Sequence, residues 1–360
     1  MTRIAVDAMG GDYAPSEIVK GAVWAAHDYN VPIELVGQVD KIQKVLNEIA
    51  RKGIRSNRGG YFFKRIKVDL SKLDIKLTQA DEIIEMGEAV GTAIRKKKNS
   101  SIVLTVDAVA KGSSDAVVAA GSTGAAMASA LFGLGRIRGI ERPAIAATLP
   151  TLKDPVVLID AGANSESSAE MLLQFALMGS TFVEKVYNRP TPRVGILNIG
   201  EEEEKGNQLV KDAHKLLKDN TLGINFIGNV EGRDVPKGAC DVIVTDGFTG
   251  NIILKLTEGL AWNILKVVKN KFTEGIKAKL GAALLIDKLT GLKQEFDYSE
   301  YGGAPILGVK GPIVKMHGSS NANAVKNTIL KGIPYVEGQV VDTIQNSVLE
   351  IEEITLNEHE

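Results

Sequence analysis

Short apolar runs with no polar alternation recur along this chain, and they constrain its fold more than any other feature. They lie at Ile4–Val6, Ile33–Val36, Ala116–Ala119, Val156–Ile159, Val194–Leu197, Asn225–Ile227 and Val242–Val244. A strand with one face in water alternates apolar with polar residues, whereas a strand covered on both faces does not. β-Branched runs of this length therefore indicate a buried, mostly parallel sheet. The amphipathic stretches between them, including Ile18–His27, Lys41–Arg51, Ala80–Arg95 and Ser167–Val186, supply the crossover helices that parallel neighbours require. The expected class is α/β, as one large domain or two intimate lobes over residues 1–350, with a tail at 351–360.

Nearly every strand is followed by a turn rich in Gly, Asp, Asn or Ser: DAMGGD, AAGSTGA, DAGANSE, NIGEEEEKG, GNVEGRD and TDGFTGN. In open parallel sheets such turns gather at the carboxyl ends of the strands, where ligands bind. The expectation is one rim with one pocket. Glycine turns that open helices aim backbone N–H groups and positive dipole ends at an anion. The candidates are Asp7, Gly10 and Gly11; Gly121, Ser122, Thr123 and Gly124; and Thr249 with Asn251. Asn164, Asn198 and Asn229 add amides, Arg142 and Lys205 add cations, and Asp246 is placed to orient donors. Any of these hydroxyls and amides serves equally well as a helix cap or Asx turn. Near the end, His317, Ser319, Ser320 and Asn321 put an imidazole, two hydroxyls and an amide at a helix start, which suits a phosphate or a thioester oxyanion.

Several chemistries lack their signatures. There is no G-x-S-x-G elbow, no complete phosphate loop and no Rossmann opening. Cys240 is the sole cysteine and opens an apolar run, so it reads as a buried core thiol in a reducing, cytoplasmic setting. Four scattered histidines show no metal-ligand spacing, and neither a metal nor a cofactor is expected. A formal charge of −1 gives no reason to expect nucleic acid. Ala116–Gly135 is uncharged but too rich in Gly, Ser and Thr to span a membrane, and reads as strand, turn and helix start. The basic stretch Arg51–Leu73 interrupts the rhythm as a hairpin or surface insertion. Leu256–Phe296 carries two apolar stripes at helical spacing among lysines, an amphipathic helical hairpin suited to a dimer contact or core packing, or to a membrane-surface or acyl-chain element.

In order along the chain, VDAMGGDYAP (Val6–Pro15), SSDAVVAAGSTGA (Ser113–Ala125), RPAIA (Arg142–Ala146), DAGAN (Asp160–Asn164) and PRVGILNIGEEEEKG (Pro192–Gly206) are followed by FIGNVEGRD (Phe226–Asp234), DVIVTDGFTGNIILK (Asp241–Lys255), YGGAPILGVKG (Tyr301–Gly311) and HGSSNANAVKNTI (His317–Ile329). Together these resemble the PlsX family, the acyl-acyl carrier protein:phosphate acyltransferases of bacterial phospholipid synthesis. The resemblance covers nearly the whole chain. It implies an α/β/α sandwich similar to the isopropylmalate dehydrogenase and phosphotransacetylase folds. It also implies a homodimer attached peripherally to the inner face of the membrane, with acyl carrier protein and inorganic phosphate as substrates. Tyr13 stands where the family usually has His, and Ser122 where it usually has Asn. The basic runs Arg95–Lys98 and Arg136/Arg138 are candidates for docking an acidic carrier protein.

Overall fold

The computed structural model describes residues 1–56, 64–85, 87–285, 288–289, 291 and 298–357. The chain runs β1 (Ile4–Asp7), α1 (Ser16–Tyr29), β2 (Ile33–Gly37), α2 (Val39–Lys52), β3 (Ile54–Ser56), β4 (Lys64–Ile66), β5 (Ile75–Gln79), α3 (Val90–Lys96), α4 (Ser101–Ala110), β6 (Ala116–Ala120) and α5 (Thr123–Gly133). Next come β7 (Ala144–Leu149), β8 (Val156–Ile159), α6 (Ala169–Tyr187), β9 (Arg193–Asn198), α7 (Gln208–Lys218), β10 (Asn225–Glu231) and β11 (Val242–Val244). After these, α8 (Gly247–Thr273), α9 (Ile276–Leu284), β12 (Ala304–Leu307) and β13 (Ile313–Met316) lead to two C-terminal helices, Ala322–Glu337 and Val340–Asn357. Every unalternating apolar run is a strand.

Eleven strands form one sheet in the order β10-β9-β11-β8-β7-β12-β13-β6-β1-β2-β5. Alternate residues of a strand feed different cores. Val117 and Ala119 of β6, Ile145 and Ala147 of β7, and Val156 and Leu158 of β8 share one cluster with α4, α5 and part of α8. Ala116, Val118 and Ala120 face a second cluster with α1, and Ala144, Ala146, Val157 and Ile159 a third with α6. Burial on both faces removed the need for polar alternation, and the result is the expected α/β/α sandwich.

Some elements depart from the sequence reading. The helix expected over Ala80–Arg95 is confined to Val90–Lys96, because Gly87 sits at φ +107 and Lys97 Nζ holds the preceding segment through Glu88 (2.6 Å) and the Ile83 carbonyl (2.8 Å). The Arg51–Leu73 stretch contains the antiparallel pair β3–β4, with its connection outside the described residues. The hairpin expected over Leu256–Phe296 begins earlier, at Gly247; α8 packs on α9, and residues 286–287, 290 and 292–296 lie outside the described set. The last helix continues through Asn357, into the stretch read as a tail.

Candidate active site

Strand polarity decides where the glycine turns fall. β5, β2, β1, β6 and β13 run parallel, and so do β8, β11, β9 and β10. Between these blocks, β12 is antiparallel to both β13 and β7, and β7 is antiparallel to β8. The two blocks therefore point in opposite directions. The turns after β1, β6 and β13 lie at one end of the strands, and those after β8, β9 and β11 at the other. The single rim expected from the sequence divides into two, because strand direction across non-adjacent segments leaves no trace in local composition.

The first rim is stitched by its glycines. A Cβ on Gly10 would meet the Ala120 carbonyl oxygen at 2.1 Å, so only glycine lets β1's turn touch β6's end. Gly11, at φ +94, lies against the Gly318 carbonyl, which also accepts the Asp12 amide at 2.8 Å. These contacts bring together Asp7, Gly10, Gly11, Gly121, Ser122 and the loop containing His317. Asp7, Gly10, Gly11, Gly121 and Ser122 bound a cavity of about 270 Å³ that also reaches Asp12, Glu85 and Ser101, and among the described residues no lysine or arginine stands on its wall. Burial raises the Asp7 carboxyl to about 6, against the opposing pull of the Ser101 hydroxyl and the Met9 and Gly10 amides. Ser122 caps α5, its hydroxyl accepting the Ala125 amide at 3.4 Å, so Thr123 and Gly124 form the helix's first turn. The capping alternative is the one this side chain takes.

Next to it, the His317 loop opens on a smaller cavity of about 100 Å³. His317 Nδ1 accepts the Ser319 amide at 3.3 Å and lies 2.8 Å from the Ser319 hydroxyl. In the neutral ring this leaves the proton on Nε2, a donor. Ser320 is buried and its amide donates to the His317 carbonyl at 3.1 Å. Asn321 caps the following helix through the Ala324 amide at 3.0 Å. Across the cavity stand Lys315 of β13 and Leu254 and Glu258 of α8. Burial lowers the Lys315 ammonium, with Glu258 opposing the shift. Burial raises the Glu258 carboxyl, with His317, Lys315 and Lys255 opposing it. Neither Lys315 nor Glu258 was singled out in the sequence, where Lys315 sits in a strand and Glu258 in an amphipathic helix. A lone charge inside an apolar strand, two residues before a histidine, was the available signal.

The second rim uses its polar groups on itself. Asp160 is fully buried and accepts from the amides of Ile145 (3.0 Å), Gly162 (3.1 Å), Ala163 (3.0 Å) and Asn164 (2.8 Å). The Asn164 side chain donates to the Pro143 carbonyl at 2.9 Å and to Asp160 at 3.0 Å. Asp246 caps α8 through the Thr249 amide at 2.9 Å, and Asn251 packs against Gly162. Asn198 donates to the Lys205 carbonyl (3.0 Å) and accepts the Ile199 amide (2.8 Å), while Asn229 donates to the Glu202 carbonyl (2.8 Å) and meets His214 Nδ1 (2.9 Å). Arg142 precedes β7 and Lys205 follows β9; both are exposed and both belong to this rim, remote in topology from Gly121–Gly124 and His317. Cys240 is a buried core thiol, pushed up to about 12 by burial. Among the described residues no acidic, histidine and cysteine side chains group as a metal site would need.

Residues 2–343 match the family described as Fatty acid synthesis protein. The phosphate acyltransferase of Pelotomaculum thermopropionicum is 47% identical over 350 residues, covering 97% of this chain and 96% of its own. Among solved structures, a phosphotransacetylase from Streptococcus pyogenes superposes with a TM-score of 0.58 at 15% identity, over 95% of this chain and 94% of that one. A 4-hydroxythreonine-4-phosphate dehydrogenase from Klebsiella pneumoniae reaches a TM-score of 0.51 at 14% identity over 92% and 98% of the two chains. The structural likenesses establish the fold, and the near-full-length sequence identity establishes more: this chain belongs to the PlsX family of phosphate acyltransferases, enzymes of fatty acid and phospholipid synthesis.

Proposed function

We propose that the protein transfers a long-chain fatty acyl group from acyl carrier protein to inorganic phosphate, releasing acyl phosphate. One observation carries the long-chain donor. α8 lends Leu254 and Glu258 to the His317 cavity, and the same helix exposes Ile252, Leu256, Leu260 and Ile264 to solvent. Those side chains sit on the face of α8 opposite Leu254 and Glu258, so an acyl chain whose carbonyl enters that cavity passes around the helix to reach an apolar surface. An acetyl group would have no use for that surface.

The chemistry needs no covalent enzyme intermediate. A hydrogen phosphate oxygen attacks the thioester carbonyl carbon, forming the C–O bond. The tetrahedral oxyanion then collapses, the C–S bond breaks, and the electron pair leaves on sulfur. The proton carried by hydrogen phosphate ends on that sulfur, so the products are acyl phosphate and the carrier thiol. Holding the two reactants in contact contributes up to about 7–11 kcal/mol. The Nε2–H of His317 is the donor nearest the developing oxyanion in this reading, worth roughly 3 kcal/mol, since the Ala322 and Ala324 amides at the start of the next helix donate to Glu17 and Asn321.

Carrier docking has a basic surface in the same reading. The Arg95 guanidinium lies 5.9 Å over the Phe132 ring of α5, which leads on to Arg136 and Arg138, so the two basic runs are neighbours. Peripheral attachment to the inner face of the membrane through Leu256–Phe296, within a homodimer, is part of the proposal. It is supported by the exposed Trp262, Val267, Ile276, Leu280 and Leu284; no described helix is long and apolar enough to cross a bilayer.

The deciding experiment incubates the protein with palmitoyl-acyl carrier protein, with and without phosphate, and traps acyl phosphate with hydroxylamine. Acetyl- and butyryl-coenzyme A are run in parallel. Phosphate-dependent product from the palmitoyl carrier is expected; product from the short coenzyme A thioesters alone would replace this reading with a short-chain phosphotransacylase.

A further inference from the structure

We infer that Lys315 is the cation that binds the phosphate substrate, and that Glu258 is a positioning residue that keeps Lys315 charged and directed into the His317 cavity. The inference rests on the phosphate acyltransfer reading and assigns its anion site. Hydrogen phosphate carries two negative charges at neutral pH and needs a cation in a partly dry site. The glycine-lined cavity offers Asp7, Asp12 and Glu85 instead. Arg142, just before β7, and Lys205, after β9, stand on the other rim. The cavity at His317 combines a half-buried lysine with the imidazole and the buried Ser320.

Glu258 gives that lysine its conditions. Burial in a cavity walled by Leu254 works against the ammonium form, and the carboxylate across the space restores part of the charge. A lysine so balanced stays cationic without being locked into a closed ion pair, so it can turn to an incoming anion. Tyr301 lines the same space, and Lys255 bears electrostatically on both partners from α8.

The test measures inorganic phosphate binding by titration calorimetry for the wild-type protein, Lys315→Met and Glu258→Gln, at pH 7 and pH 9. Lys315→Met is expected to weaken phosphate binding at least about 10-fold with its unfolding midpoint retained. Glu258→Gln is expected to bind nearly as well as wild type at pH 7 and markedly less well at pH 9, because removing the carboxylate lets Lys315 lose its proton sooner. A merely structural Glu258 would weaken binding equally at both pH values. Glu258→Gln also removes the carboxylate that His317 and Lys255 feel, and Lys331 donates to the Thr148 hydroxyl and the Tyr301 and Gly303 carbonyls at the same wall. The double variant Lys315→Met/Glu258→Gln is therefore run as the control. Its pH dependence should match that of Lys315→Met, and a pH-dependent loss that persists without Lys315 would overturn the role given to Glu258. Wild-type phosphate affinity in Lys315→Met, or no phosphate binding by the wild type, would overturn the inference. Should Lys315→Met fail to fold, an equal loss at both pH values in Glu258→Gln would overturn it as well. Because the probe is phosphate alone, a protein that binds phosphate through Lys315 but transfers no acyl group would refute the reaction while leaving this site standing.

Discussion

Asp160→Ala should be among the most destabilising single changes in this protein, and the hydrogen bonds show why. The fully buried carboxylate accepts four backbone amides, from Ile145, Gly162, Ala163 and Asn164, at 2.8–3.1 Å. An amide left buried without an acceptor costs roughly 1–3 kcal/mol. Ile145 lies inside β7 and has no route to water, so its amide bears about 2 kcal/mol. The other three belong to a half-buried turn that can relax toward solvent, at about 0.5–1 kcal/mol each. The sum is roughly 3.5–5 kcal/mol, a large share of the about 5–15 kcal/mol that holds a typical domain together. Asp160→Asn keeps one acceptor oxygen and should cost about half as much. Urea unfolding followed by circular dichroism, extrapolated to water, measures both. A loss below about 1 kcal/mol for Asp160→Ala would refute the assignment of this turn as scaffold. So would a stable Asp160→Ala protein that has lost phosphate binding, since the amides would then belong to the ligand.

Asp7 should make stability fall with rising pH. Its folded pKa, about 6, lies above the unfolded value, so its contribution is full below about pH 4 and is lost as pH rises through 6, to roughly 3 kcal/mol by pH 8; Asp7→Asn removes this dependence, and unfolding curves for both proteins at pH 5 and pH 8 should differ accordingly. Arg142→Ala and Lys205→Ala should leave the phosphate KM unchanged because both stand on the second rim, whereas His317→Ala should lower kcat by about 100-fold; a phosphate KM raised by either cation's loss would show that the site draws on both rims. Replacing Leu256 and Leu260 with serine removes side chains that are already exposed, so stability should change by less than about 0.5 kcal/mol per site. The KM for a palmitoyl carrier substrate should rise about 10-fold, with that for acetyl-coenzyme A unchanged.

The sheet was legible because burial on both faces writes itself into composition. Val156–Ile159 and Val242–Val244 could hardly have been anything else. Strands at the margins were harder: β5 reads Ile-Lys-Leu-Thr-Gln, an edge strand with polar residues, and β12 and β13 were hidden among glycine turns. The glycine turns were found correctly as turns, but their grouping was not. Grouping depends on the direction of β8 relative to β7, and antiparallel pairing of two short apolar strands looks locally like parallel pairing. For the side chains, the sequence offered Asn164, Asn198 and Asn229 as ligand donors or as turn formers, and their hydrogen bonds are spent on the turns. Glu258 escaped because it is unremarkable in an amphipathic helix, and Lys315 because a lone charge in an apolar strand does not name its partner; the crossing of α8 over β7 and β8 makes them face one cavity.

That crossing also changes what the glycines are for. Two unit charges about 5 Å apart interact by roughly 3 kcal/mol at an effective dielectric near 20. A phosphate dianion placed beside Asp7, Asp12 and Glu85 would face that repulsion several times over, more than a helix N-terminus at α5 returns. Gly10 and Gly11 instead let three chain segments touch at a distance no side chain permits, through Ala120 and Gly318. The contact at Gly318 fixes the loop that carries His317 and Ser320, one residue beyond the end of β13 and two from Lys315. The glycine motif therefore acts on the chemistry at one remove, by holding the imidazole over the cavity where a cation is available.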